Sequence, residues 1–280
     1  MSEVPIRPAS TVVVLRDSSK GVELFLVRRN FSIAFMAGAH VFPGGRVDAA
    51  DADIDAGWCD LPTPAVARQL PALAFAVAAL RELFEEAGLL LARTADGAFV
   101  TCDDAGTRER FARYRTAVHD GSMTLRAVVE AEGLRLALDA VQPFAHWVTP
   151  PIEVRRFDTW FFAAAVPQGQ EPEHDRGESV DSGWFTPSEA LDACRRGRIN
   201  LPPPTWATLR ELEPFDTVAS ALVWARTREI VARQPAVRHE HGAREILLPG
   251  DPAHPATERV TYETRFIWTD GRWLPDARRD

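Results

Sequence analysis

Arg81-Glu82-Leu83-Phe84-Glu85-Glu86-Ala87-Gly88-Leu89 is the stretch from which the rest of the chain can be read. It closes a segment, Leu73 to Ala87, in which Leu73, Ala76, Leu80, Leu83, Phe84 and Ala87 recur at helical spacing. Gly88 stands where a helix end favours a left-handed residue. On such a helix, offsets of three and four bring Glu82, Glu85 and Glu86 onto one surface, roughly opposite the apolar stripe. Like charges at that spacing repel by about a few tenths of a kcal/mol per pair. A divalent cation removes the repulsion, and hard carboxylate oxygens favour Mg2+ or Mn2+. For three glutamates alone, a solvated acidic face is the plainer reading. Arg81, the Gly88 stop and an upstream Pro43-Gly44-Gly45 turn weigh toward the cation.

Outward from this helix, strands and helices alternate. Thr11–Leu15 and Val22–Val27 read as a hairpin of strands, and Val41-Phe42 leads into the Pro-Gly-Gly turn. Ala49 to Pro71 is rich in Asp, Ala and Pro and reads as an insertion with at most a short helix. That segment is expected to shape substrate access without supplying core stability. Thr107–Val118 and Leu125–Gly133 are helix candidates. Ala145–Val148, Thr159–Val166 and Ser179–Phe185 are strand candidates, followed by helices at Pro187–Arg196, Thr205–Leu212 and Phe215–Arg233. Arg244–Leu248 and Arg259–Trp268 read as late strands.

The Arg81–Leu89 run resembles the Nudix box: a glycine, five residues, a glutamate, seven residues, then Arg-Glu-apolar-any-Glu-Glu-any-Gly-apolar. Every fixed position from Arg81 onward is filled. The resemblance implies an α/β fold, the Nudix αβα sandwich with a mixed sheet, here with a helical insertion and a C-terminal extension. It implies a Nudix domain over residues 1–215, with the insertion at about 49–71 and a helical segment at about 103–140. Residues 216–280 are expected to form a helix-and-strand extension packed on that domain. By resemblance Glu82, Glu85 and Glu86 carry the metal, Mg2+ or Mn2+, and Arg81 orients a glutamate of the helix. The box is split: Gly45 and Arg81 lie 36 positions apart, 22 more than the family spacing. Its first glutamate falls on Leu73, so that role is vacant or is filled by Asp48 or another acid of the insertion.

A split box, with Phe35 to Asp51 around it, resembles the nucleoside diphosphate-linked moiety X motif 19 subfamily, which acts on coenzyme A and acyl-CoA. Arg29, Gly38 and Phe42-Pro43-Gly44-Gly45 match the spacing of a motif linked to coenzyme A hydrolysis, whose small residue is Asn30 here. Ala34 stands where that motif has its second arginine. The implied reaction is hydrolysis of a diphosphate bond, with coenzyme A giving 3′,5′-ADP and 4′-phosphopantetheine. The alternatives are an ADP-ribose or dinucleotide pyrophosphatase and a non-catalytic Nudix-like ligand sensor. Sensors of that kind tend to lose the metal acids, and this chain keeps all three.

Arg29, Gly44, Gly45, Arg46, Arg155 and Arg156 are the candidates for holding substrate. A planar guanidinium suits phosphate, although Arg155 and Arg156 could equally pair with Asp158. Arg28 and Arg29 alternate across a strand, so at most one faces the site. Glu178, before a strand, is a candidate base or metal ligand and otherwise a surface acid beside Asp175 and Arg176. His40 fills the turn or touches phosphate, and Phe35 and Met36 line a pocket mouth or pack in the core. His239 and His241 read as solvated, and Pro202-Pro203-Pro204 as the start of the helix at Thr205.

The formal net charge of −8 argues against a nucleic-acid partner. It also means that an anionic substrate needs a metal or arginines at its site. Cys59, Cys102 and Cys194 give no disulfide framework, and Met1–Ser10 lack a signal-peptide core. A cytoplasmic enzyme with a small nucleotide-like substrate and no membrane partner is expected.

Overall fold

The computed structural model describes residues 4–33, 36–175, 177–240 and 242–276. Strands β1 (Ile6–Ser18) and β2 (Gly21–Arg29) form the expected hairpin, longer at both ends than the apolar runs suggest. Their ends diverge, and two short strands fill the gap: β3 (His40–Val41) pairs with β2, and β4 (Gly44–Arg46) with β1. Then come 3-10 turns at Ala49–Asp53 and Ala56–Trp58, strand β5 (Cys59–Asp60) and the short helix α1 (Pro64–Ala67). Helix α2 (Leu73–Ala87) spans the residues that the periodicity predicts, and Gly88 ends it at φ +70° with its N–H on the Phe84 carbonyl.

The chain continues through β6 (Ala92–Arg93), α3 (Ala105–His119), α4 (Leu125–Glu132), β7 (Arg135–Ala137), β8 (Gln142–Val148), β9 (Arg156–Ala165) and β10 (Ser179–Phe185). Helices α5 (Pro187–Arg195), α6 (Pro203–Leu212) and α7 (Val218–Thr227) follow. The last strands are β11 (Ala232–Arg233), β12 (Ala236–Glu240), β13 (Ala243–Leu247), β14 (Arg265–Thr269) and β15 (Arg272–Pro275).

The main sheet runs β10-β2-β1-β9-β8-β11, with β3 and β4 attached to β2 and β1. It is mixed: β1 lies parallel to β9 from Ile6↔Arg156 to Leu15↔Ala165 and antiparallel to β2. Alternation along each strand divides two cores. Val12, Val14, Phe25, Val27 and Phe162 pack with α2, α3 and α4. Val13, Leu15, Leu24, Leu26 and Phe161 pack with α5, α6 and α7 on the other face. The result is an αβα sandwich. No described helix is long and apolar enough to cross a membrane.

Three expectations need correction. The insertion is part of the core: Asp51, Ile54 and Cys59 are each under 4% exposed. Strand β5 pairs in parallel with β7, and Arg135 donates to Asp60 Oδ1 at 2.8 Å and to the Gly57 carbonyl at 2.6 Å. Of its acids, Asp51 pairs with Arg81, and Asp60 with Arg93 and Arg135. The helix expected over Phe215–Arg233 is shorter, because Arg228 adopts extended backbone; its side chain is drawn in by Glu211 at 2.8 Å. The strand expected over Arg259–Trp268 begins only at Arg265. Asp251, which binds Arg265 at 2.7 Å and 3.0 Å, holds the chain at that point.

Candidate active site

Strand β4 and helix α2 meet so closely that only glycine fits between them. A Cβ on Gly45 would lie 2.4 Å from Glu82 Oε1, and one on Gly44 would lie 2.4 Å from the Ser10 carbonyl. Neither contact can be relieved without moving a carboxylate or a strand. The Gly44 N–H donates to Glu86 Oε2 at 2.9 Å, and Ser10 Oγ donates to the Phe75 carbonyl at 2.7 Å. The Pro-Gly-Gly turn thus docks the C-terminal part of the helix, and strand β1 docks its first turn.

The acids on α2 do not form a solvated face. Glu86 is 4% exposed, and the Glu82 and Glu85 side chains are 12% exposed. Among them lies Arg81, itself buried. Its Nη1 donates to Glu82 Oε1 and to Glu85 Oε1, each at 2.9 Å. Its Nε and Nη2 grip Asp51 Oδ1 at 2.8 Å and Oδ2 at 3.0 Å, and Nη2 also reaches the Arg46 carbonyl at 2.7 Å. This is a bidentate fork, the strong form of an arginine–carboxylate pair. Asp51 Oδ2 also accepts the Asp48 N–H at 2.8 Å, which sets the carboxylate within its 3-10 turn. Of the insertion's acids, Asp51 is the one at pairing distance from Arg81. Asp48 is farther away, at 3.8 Å.

One guanidinium does not balance this many acids. Burial pushes the Glu82 carboxyl up to about 8, although Arg81 pulls it down. Burial, and then the Glu82 charge, hold Glu86 well above the ordinary carboxylate range. Among the described residues no three His, Cys, Asp or Glu side chains are grouped as a ready cation cage. Arg81 occupies one oxygen each of Glu82 and Glu85. The donor chemistry nevertheless fits a hard divalent cation: the oxygens belong to carboxylates, they are buried, and they carry more negative charge than their one bound arginine neutralises.

The remaining candidates fall in different places. Arg29 lies on the α2 side of β2, in line with Phe25 and Val27. Its charge favours ionised Glu86, and its buried Nε has no hydrogen-bond partner. Arg28 points the other way, over the Phe31 ring at 4.9 Å. Glu178 is exposed beside β10; its carbonyl accepts the Asn30 N–H at 2.7 Å, and its charge is felt by Glu86. The Arg46 side chain is exposed. Arg155 is exposed, whereas Arg156 is 3% exposed and donates to the Thr149 carbonyl at 3.3 Å. Asp158 pairs with His146. His40 is buried against β2, and burial with the Arg28 charge lowers it to about 4. Met36 is partly exposed at φ +55°, and His239 is exposed on β12. Helix α6 starts at Pro203, two residues before Thr205. Ala34, Phe35, Arg176 and His241 lie outside the described residues.

Sequence reasoning passed over Arg115 on α3. Its Nε donates to the Glu85 carbonyl and its Nη2 to the Glu173 carbonyl, both at 2.8 Å. The only sequence trace is a basic residue within a strongly charged helix, which has no pattern of its own.

Residues 65–212, more than half of the chain, match the NUDT19 Nudix domain. The chain belongs to the NUDT19 Nudix family. It is a Nudix hydrolase, and its substrate is a small nucleotide-like molecule. Nudix enzymes typically depend on a divalent metal. The acyl-coenzyme A diphosphatase NUDT19 of Homo sapiens is 28% identical over 83% of this chain and 72% of its own length. The Gallus gallus protein of that name is 26% identical over 92% of this chain and 79% of its own length. A Nudix hydrolase from Alicyclobacillus acidocaldarius has a similar structure, with a TM-score of 0.69 and 29% identity, over 79% of this chain and 97% of that one. The Nudix fold and the family reading of Arg81–Leu89 agree with these matches.

Proposed function

We propose that this Nudix enzyme hydrolyses the diphosphate of coenzyme A or acyl-CoA with Mg2+ or Mn2+, giving 3′,5′-ADP and (acyl-)4′-phosphopantetheine. One observation carries the reaction: Asp51, Glu82 and Glu85 share a single guanidinium while Glu86 is buried beside them. The substrate is supported by the relatives named acyl-CoA diphosphatase, which match over most of the chain.

Glu82, Glu85 and Glu86 would hold the cation, which supplies charge neutralisation on the diphosphate and acidification of water. The chain's own residues do the positioning. Arg81, fixed by Asp51, sets the Glu82 and Glu85 carboxylates, and the Gly44 N–H sets Glu86. Arg29 offers a guanidinium on the same face for a phosphate. Water adds across the anhydride and its proton passes to a carboxylate, for which Glu178 at the rim and the box glutamates are the candidates.

The test is a panel of coenzyme A, dephospho-coenzyme A and ADP-ribose with Mg2+, read by product identity. Coenzyme A carries a 3′-phosphate that both other compounds lack. A charge-assisted hydrogen bond to it contributes roughly 1.5–3 kcal/mol, or about tenfold or more in specificity. Coenzyme A is therefore expected to be the fastest substrate. Equal rates on coenzyme A and its dephospho form, with ADP-ribose faster than both, would replace this reading with an ADP-ribose pyrophosphatase.

A further inference from the structure

The segment that carries Glu178 is tied to the end of helix α2 by Glu173 and Arg115, both outside the Nudix box. The Glu173 N–H donates to the Ala87 carbonyl at 3.0 Å, at the end of α2. Arg115 reaches from α3 with one guanidinium to both sides of that junction, with Nε on the Glu85 carbonyl and Nη2 on the Glu173 carbonyl. Gly88 leaves room for it: a Cβ there would lie 2.9 Å from Arg115 Nη1. Beyond the junction, Asp175 accepts the Glu178 and Ser179 N–H groups, each at 2.9 Å. Ser179 then joins β10 opposite Arg29. A continuous set of bonds thus runs from α3, through the end of α2, to Glu178.

We infer that Arg115 is a positioning residue that fixes the Glu178 segment against the carboxylates of α2. Its planar fork suits this task, since one rigid group spans two carbonyls on separate elements. Burial holds this guanidinium below its ordinary range, and the charges of Asp175, Glu173 and Glu86 offset that only in part. It makes no bond to the oxygens assigned to a cation, so it acts through the backbone that carries them. This inference rests on the proposed role of Glu178 as base or metal ligand.

Two readouts test it, both on the full chain. The first is hydrogen–deuterium exchange of the metal-free protein, which needs no activity. In R115Q, peptides covering residues 171–179 are expected to exchange at least tenfold faster, with β13 and β14 unchanged. Unchanged exchange across 171–179 would overturn the inference. The second is a double-mutant cycle on kcat with E178Q at saturating Mg2+, using whichever nucleotide substrate the wild type turns over. If Arg115 acts through Glu178, R115Q lowers kcat tenfold or more, and the double variant is no slower than the slower single one. Losses that multiply, or an R115Q enzyme within twofold of wild type, would overturn it. R115K keeps the buried charge but offers one nitrogen in place of the fork. It runs through both readouts if R115Q does not fold, with a smaller loss expected and the same non-additivity. A failed substrate panel leaves the exchange result standing, so the two readings fail separately.

Discussion

Two of the arginine clusters among the described residues differ in balance. Near the C-terminus, Arg228 grips Glu211 at 2.8 Å and 3.1 Å, and Arg233 meets Glu211 at 2.9 Å and also pairs with Glu258. Two cations face two anions, and Arg228 lies over the Trp224 ring at 4.2 Å. At α2, the Arg81 guanidinium bonds Asp51, Glu82 and Glu85, His119 lies 3.8 Å from Glu85, and Glu86 is buried with the Gly44 N–H bonded to it and the Arg29 charge nearby. The first cluster is balanced and ties α6, α7 and the C-terminal chain together. The second has more buried carboxyls than cations, and ionising them is costly in a low-dielectric interior unless a further cation arrives. The surplus distinguishes a site from a brace.

The largest expected effect separates the two at once. Glu86→Gln should lower kcat by on the order of a thousandfold, as expected when a metal-assisted hydrolysis loses its charge-stabilising centre. Its metal-free melting temperature should stay level or rise, because a neutral amide suits a buried site. Near wild-type turnover at saturating Mg2+ would remove Glu86 from the site. Glu211→Gln should show the reverse pattern. Removing one partner from a buried pair costs roughly 3–5 kcal/mol, visible in urea titration, while turnover per folded molecule stays within about twofold. A tenfold fall in kcat at unchanged stability would show that the brace is part of the catalytic machinery.

Asp51→Asn probes the link between balance and catalysis. It keeps the shape and removes the charge that Arg81 grips, and outer partners of metal ligands are typically worth about 10–100-fold. Both kcat and stability should fall, and Asp48→Asn, 3.8 Å from the guanidinium, should do much less. Equal effects from the two would mean that the bidentate geometry is unimportant.

The smallest effect is in pH. In the native state Glu82 titrates at about 8 and Glu86 well above the ordinary carboxylate range. Between the usual carboxylate range and those values the native state binds more protons than the unfolded chain, so stability falls as pH rises. In chelator, the melting temperature attributable to these groups should decline by a few degrees from pH 5.5 to pH 8.5. Saturating Mg2+ should raise it more at pH 8 than at pH 6. A chelated protein whose stability climbs through that window would contradict the surplus of buried carboxylates.

These contrasts show what a sequence can carry. Helix α2 was legible because its code is local: apolar spacing, a glycine stop and fixed acids within nine residues. The hairpin β1–β2 and strand β10 were legible for the same reason. Asp51 was visible only as one of several acids in a segment expected to shape substrate access. Its role comes from a contact across 30 residues that no periodicity encodes. Arg115 left no trace, since its partners are backbone carbonyls, which any residue supplies. The depth of the acids was misjudged for a related reason. A helical wheel places Glu82 and Glu85 opposite the core, but β4 and the insertion cover that side.

Asp51 reaches Arg81 by a detour, and the length of a detour is thermodynamically lenient. For a flexible loop, doubling the tether adds only about 0.6 kcal/mol of closure entropy, less than one good hydrogen bond to a charged group. The ion pair therefore constrains where the aspartate-bearing turn docks, Ile54, Cys59 and β5 hold the next stretch in the core, and the tether from Leu61 to Leu73 is where length can vary. A motif defined by spacing along the chain is here a motif defined by meeting points, and the stretch between those points is where such chains can drift in length.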